Sequence, residues 1–118
     1  GALRRILKNV LAKPTAGWAL RRGLWVHGIS DPLDYVAATR AYSLRGLERL
    51  ITCPTLVIAT EDDTLSSNQK ELFDNIVAPK KYLWFTAAEG ANHHCEAGAR
   101  RLYHERVFAW LDETIGAP

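Results

Sequence analysis

The chain has 118 residues, 47% of them hydrophobic and 24% charged, with a formal net charge of +2. That composition is globular, which excludes a disordered chain, and the length fits one small domain. The small net charge gives no ground for a polyanionic partner, and no apolar run approaches the ~20 residues that span a bilayer, so neither nucleic acid nor membrane is expected as a partner.

Residues 2–12 are predicted to be helical, because Leu3, Ile6, Leu7, Val10 and Leu11 recur at helical spacing. Pro14 ends that helix or opens the next turn. A second helix is expected over 15–26, carrying Trp18, Leu20 and Trp25, with Gly28 as its stop. Asp31-Pro32 opens a third, followed by Leu33, Val36 and Ala37. Ser43 is read as the cap of a fourth short helix through Leu50. Arg4, Arg5, Lys8, Lys13, Arg21 and Arg22 all precede the first acid, Asp31. With no aromatic stacking platform beside them, they are read as a solvated helix face.

The pattern changes at Cys53-Pro54. Leu56-Val57-Ile58-Ala59 is a continuous, partly β-branched apolar run, which suits a strand buried on both faces. A polar loop is expected over 62–67, then a helix over 68–77 with Leu72, Phe73, Ile76 and Val77 on its inner face. Residues 78–81 read as a turn and Tyr82–Thr86 as the next strand. A last helix is expected from 96 to 114, with Ala99, Leu102, Tyr103, Val107, Trp110 and Leu111 inward and Gly116 as its stop. Cys53 and Cys95 would then lie near opposite ends of a sheet, too far apart to bridge. Both are expected as buried or half-buried thiols of a cytoplasmic protein.

The order is helices followed by β-α-β-α, which implies a parallel sheet. Two divisions are expected: a helical, cap-like segment over 1–50 and a β-α-β-α unit over 51–118. Two parallel strands alone make a poor sheet, so the chain reads as the last part of something larger.

In parallel sheets, sites form at the carboxyl ends of the strands. Glu61-Asp62-Asp63 follows the first strand there, and Asn92-His93-His94-Cys95 follows the second. A neutral histidine can take a proton from a hydroxyl and return it to a leaving group. It does so best when a carboxylate holds its other ring nitrogen. An acid and then a histidine on successive strand ends supply that pair. His93-His94-Cys95 is not expected to bind metal, since adjacent ligands splay apart and no Cys-x-x-Cys or His-x-x-x-His pair stands elsewhere. No cofactor is expected.

Several segments together carry a resemblance: Trp25-Val26-His27-Gly28, Tyr42-Ser43-Leu44, Ile51 through Val57, Glu61-Asp62-Asp63, Phe85 through Ala91, His94-Cys95 with Gly98-Ala99, and Phe108 through Glu113. On these the chain resembles the C-terminal part of α/β-hydrolases of the dipeptidyl aminopeptidase and acylaminoacyl-peptidase-like, FrsA-like esterase group. The resemblance implies an α/β fold: a helical cap segment followed by the last two strand-helix units of a parallel α/β-hydrolase sheet, an incomplete domain. It implies Asp63 as the acid of a catalytic triad, with Asp62 as the alternate. His94 is the implied base, with His93 as the alternate, because a one-residue shift of the loop would exchange them. Trp25 and His27 are the implied lining of a substrate pocket. The implied chemistry is hydrolysis of an ester, amide or carbon–carbon bond of a small-molecule or peptide substrate through an acyl-enzyme.

The nucleophile of that family does not carry over. It would be a serine in G-x-S-x-G on a strand-to-helix elbow, and Ser30, Ser43, Ser66 and Ser67 lack the flanking glycines. The missing N-terminal hydrolase half is therefore the expected partner, and the 118 residues alone are expected to be inactive. A different class of reading is a non-catalytic interaction or regulatory module derived from a hydrolase half. It would show a large exposed apolar surface and form a homo-oligomer.

Overall fold

The computed structural model describes residues 1–66 and 68–116. They divide into two compact units, Gly1–Leu44 and Arg45–Pro118.

The first unit is helical: α1 (Ala2–Ala12), α2 (Pro14–His27) and α3 (Pro32–Thr39). Lys13 adopts an extended conformation between the first two, and Pro14 starts α2, where its missing N–H costs nothing. Asp31 caps α3 by accepting the Leu33 N–H at 2.8 Å, and Arg4 on α1 donates to the same carboxylate at 2.9 Å. The Leu33 bond first, and Arg4 second, hold the Asp31 carboxyl below its ordinary range. The basic stretch is thus partly engaged: Arg21 donates to the Leu11 carbonyl at 2.9 Å, and Arg22 lies over the Trp25 ring.

The expected fourth helix is replaced by a turn and a single 3-10 turn, Glu48–Leu50. Gly46, at φ +82°, interrupts the helical run that Ser43 was read as capping.

The second unit contains β1 (Thr55–Thr60), α4 (Gln69–Asn75), β2 (Lys80–Phe85) and α5 (Arg100–Ile115). The strands are parallel, paired from Thr55 with Lys80 to Thr60 with Phe85. Phe73 of α4 meets Tyr82, with ring centroids 5.2 Å apart, and Tyr103 of α5 meets Phe85 at 6.2 Å. Tyr82 and Phe85 have opposite parity along β2, so the two helices cover opposite faces of the sheet. The result is a mixed helix-and-strand unit on a small two-stranded parallel sheet, compatible with an incomplete α/β domain. Among the described residues, no helix is long and apolar enough to cross a membrane.

The apolar core is small. Val57, Ala59, Ile76, Phe85 and Ala91 are the buried hydrophobic residues among those described. Helix α4 is shorter than expected, ending at Asn75, because Ile76 turns to φ −68°, ψ 133°. Successive side chains there alternate: Ile76 is 1% exposed and Val77 is 68% exposed. The expectation that both face inward on a helix is corrected by that change of period from 3.6 to 2. Lys80, read as part of a turn, instead begins β2. Its Nζ donates to the Phe73, Asp74 and Ile76 carbonyls and closes the C-terminal end of α4. Helix α5 begins at Arg100 and not at 96, because Cys95 and Glu96 have left-handed backbone, φ 57° and 49°.

Candidate functional site

The carboxyl ends of β1 and β2 open into two loops that lie against each other. The ladder runs one step past the strands, where the Glu61 N–H donates to the Phe85 carbonyl at 3.0 Å. The Asp63 and His94 side chains then meet. His94 Nδ1 lies 3.0 Å from Asp63 Oδ2 and 3.2 Å from Oδ1. An ionised carboxylate only accepts, so Nδ1 carries the proton in this pair, and Nε2 is left as the basic nitrogen. The Asp63 side chain is 7% exposed and that of His94 is 49% exposed, so the acid is enclosed and the ring reaches solvent.

Asp63 is held by its own loop as well. It accepts the Leu65 N–H at 2.8 Å, the Ser66 N–H at 3.2 Å and the Ser66 hydroxyl at 2.5 Å. Gln69 Nε2 in turn donates to Ser66 Oγ at 2.6 Å. The Ser66 hydroxyl first, and His94 second, stabilise the charged form and drive the Asp63 carboxyl far below its ordinary value. Acidification of the solvent therefore leaves this group charged over a wide range.

The histidine loop is fixed by a different set of bonds. Thr86 and Glu89 form a capping box at the turn Ala87–Glu89, and Arg106 on α5 donates to Glu89. That guanidinium, with the Thr86 N–H and hydroxyl, lowers the Glu89 carboxyl below its ordinary value. The loop then crosses itself: a Cβ at Gly98 would sit 2.4 Å from the Gly90 carbonyl oxygen, so only glycine allows the approach. This gives a physical reason for the Gly98 that follows His94-Cys95.

Beyond His94 the backbone is strained at two non-glycine residues in a row, Cys95 and Glu96. Glu96 is 5% exposed. Burial first, and the nearby Asp63 charge second, raise its carboxyl above the ordinary value. Both cysteines are exposed and free, which corrects the expectation of buried thiols. The left-handed turn at Cys95 sends its side chain outward while Glu96 goes inward.

Of the residues singled out in the sequence, Asp63 and His94 are brought together. Asp62 bonds Asn92 instead: Asn92 Nδ2 donates to Asp62 Oδ2 at 2.6 Å. The His93 side chain is exposed, and its carbonyl accepts the Glu96 N–H at 2.8 Å. Trp25 and His27 belong to the first unit. Trp25 is 75% exposed, and His27 packs against Tyr35 and Tyr42 with ring centroids 5.4 Å away in each case. Among the described residues, no three His, Cys, Asp or Glu side chains are grouped so as to hold a metal ion.

Sequence reasoning missed Ser66, Asn92 and Glu96. The Asp63-x-x-Ser66 spacing is a signal for a local side-chain turn and marks Ser66 as a neighbour of the acid. The positions of Asn92 and Glu96 follow from loop crossings that have no local pattern.

The chain is similar to three curated fungal hydrolases. It is 35% identical over 107 residues to the hydrolase LUC6 of a Fusarium species, covering 84% of this chain and 26% of that protein. It is 32% identical over 107 residues to the 20-hydroxy-prefusarin hydrolase FUS2 of Gibberella moniliformis, covering 83% and 25%. With the hydrolase acrC of Aspergillus aculeatus it shares 27% identity over 120 residues, 91% of this chain and 28% of that one. The chain thus spans about a quarter of the length of the curated relatives it matches. No family model and no solved structure matches it. Its kinship is with a segment of hydrolases, and that class is as far as these names reach.

Proposed function

We propose that this chain is the acid-and-base part of a serine-type α/β-hydrolase whose nucleophile lies in the rest of a longer protein. The observation that carries the reading is the 3.0 Å contact between His94 Nδ1 and an enclosed, multiply bonded Asp63 carboxylate. Similarity to hydrolases over a quarter of their length supports it, as does a core of few buried residues beneath bare side chains such as Trp84 on β2 and Phe108 on α5.

In the reaction, His94 Nε2 takes the proton of the serine hydroxyl as its oxygen attacks the substrate carbonyl carbon. The imidazolium that forms is stabilised by Asp63 across Nδ1. The proton then passes to the leaving group, and an acyl-enzyme remains. Water repeats the sequence, losing its proton to Nε2, and the acid product departs as serine recovers its proton. In this reading Asp62 and His93 take no part in the proton transfers. The substrate class is a small molecule with an ester, amide or activated carbon–carbon bond. The name of the FUS2 relative, a hydrolase of 20-hydroxy-prefusarin, favours a small molecule over a peptide.

A fluorophosphonate probe, which reacts with activated serines, tests the proposal. The longer protein labels at one serine outside these 118 residues, and the isolated chain does not label. Labelling of Ser30, Ser43, Ser66 or Ser67 in the isolated chain would overturn it.

A further inference from the structure

The three consecutive acids Glu61, Asp62 and Asp63 each reach across to the histidine loop. Glu61 Oε2 accepts the Ala87 N–H at 2.7 Å. Asp62 donates its N–H to the Asn92 carbonyl at 3.0 Å and accepts from the Asn92 side-chain amide at 2.6 Å. Asp63 meets His94. The first acid fastens the root of the loop, and the third makes the acid–base pair. The middle one makes a two-point contact that runs in both directions.

We propose that Asp62 and Asn92 are a positioning pair that sets the separation and tilt of the Asp63–His94 couple. This rests on the acid–base reading above. A single hydrogen bond fixes a distance and leaves rotation free. Two bonds between the same residues, one through the backbone and one through the side chains, fix both. The pair is one residue from Asp63 on one side and two from His94 on the other, so little backbone intervenes to absorb an error. Those two residues are otherwise held by separate supports, Ser66 and Gln69 on the acid side and the Thr86–Glu89–Arg106 set on the histidine side. Among the described residues, the Glu61 and Asp62 rungs link the two loops directly, beside the Asp63–His94 contact itself. The Glu61 rung lies at Ala87, seven residues before His94. The pair contributes little to stability because Asp62 is exposed. Its effect is geometric, and misplacing a reacting group by about 1 Å can cost about 10²-fold in rate.

The test uses the 118-residue chain and long-range nitrogen–proton NMR of the His94 ring. Wild type is expected to show a proton held on Nδ1 and protected from solvent exchange. Asp62→Ala and Asn92→Ala should each speed that exchange about tenfold, the worth of one hydrogen bond removed from the opening equilibrium, with an unchanged circular dichroism melt. The exchanged pair, Asp62→Asn with Asn92→Asp, rebuilds the amide-to-carboxylate bond in reverse and should return exchange to within about twofold of wild type. Protection that is present in wild type and untouched by all variants overturns the positioning role and leaves the acid–base reading standing. Absence of a protected Nδ1 proton in wild type overturns both. If either alanine variant fails to melt cooperatively, the exchanged pair decides: rapid exchange in a folded exchanged pair overturns the proposal, and restored protection supports it.

Discussion

Ile76 and Val77 are adjacent, both β-branched, and opposite in environment, which makes them a matched probe of the fold. Ile76→Ala removes three carbons from a side chain that is 1% exposed. At about 0.8 kcal/mol per buried carbon the transfer part is about 2.4 kcal/mol, and the cavity left behind raises the cost to about 3–4 kcal/mol. Val77→Ala removes two carbons from a residue that is 68% exposed. With a third of that contact buried, the same reckoning gives about 0.5 kcal/mol. Urea unfolding of the isolated chain, followed by far-ultraviolet circular dichroism, measures both at a fixed slope. The result has a second half in the proposed longer protein. There, Val77→Ala becomes the more costly of its two measurements if the bare face is covered by missing strands or helices. Equal costs for the two substitutions in the isolated chain would refute the alternation at Ile76, and with it the end of α4 at Asn75.

Acid should destabilise the second unit through two carboxyls. Asp63 and Glu89 both titrate below their ordinary values of 3.8 and 4.5 when folded. In that range the unfolded chain binds more protons than the folded one, so their contribution is whole above the ordinary values and is lost as pH falls beneath them. Asp63→Asn and Glu89→Gln should each flatten the fall of melting temperature between about pH 5 and pH 2, and an unchanged slope in both variants would contradict the charged networks described. Glu96 has the opposite sign. Its raised carboxyl favours the folded state at low pH and loses that contribution as pH climbs through its folded value, so Glu96→Gln should gain melting temperature at pH 7 relative to pH 4 when compared with wild type.

Much of the frame was legible in the sequence because its signals are local. The helical spacing of Leu3, Ile6, Leu7, Val10 and Leu11 gives α1, and Asp31-Pro32 gives the capped start of α3. The apolar runs at 56–59 and 82–85 fall inside the two paired strands. Acid and histidine clusters at successive strand ends pointed to the place where Asp63 and His94 meet. The failures have physical causes of another kind. Ile76 and Val77 fit a helical stripe, but Lys80 captures the carbonyls at the end of α4 and the chain turns extended. The start of α5 moved because Cys95 and Glu96 adopt a left-handed backbone that no propensity favours, beside the close approach of Gly98 to the Gly90 carbonyl and the burial of Glu96. Adjacent candidates such as Asp62 and Asp63, or His93 and His94, differ only in direction, and direction is a property of the folded loops.

The most direct measurement is turnover of an ester substrate by the proposed longer hydrolase, with His94→Ala and His93→Ala compared against wild type. His94→Ala is expected to lose at least about 10³-fold in kcat, since the base acts in both half-reactions, while His93→Ala stays within about tenfold. Turnover by His94→Ala equal to wild type would contradict the assignment of His94 as the base, and a loss confined to His93→Ala would transfer that role to its neighbour.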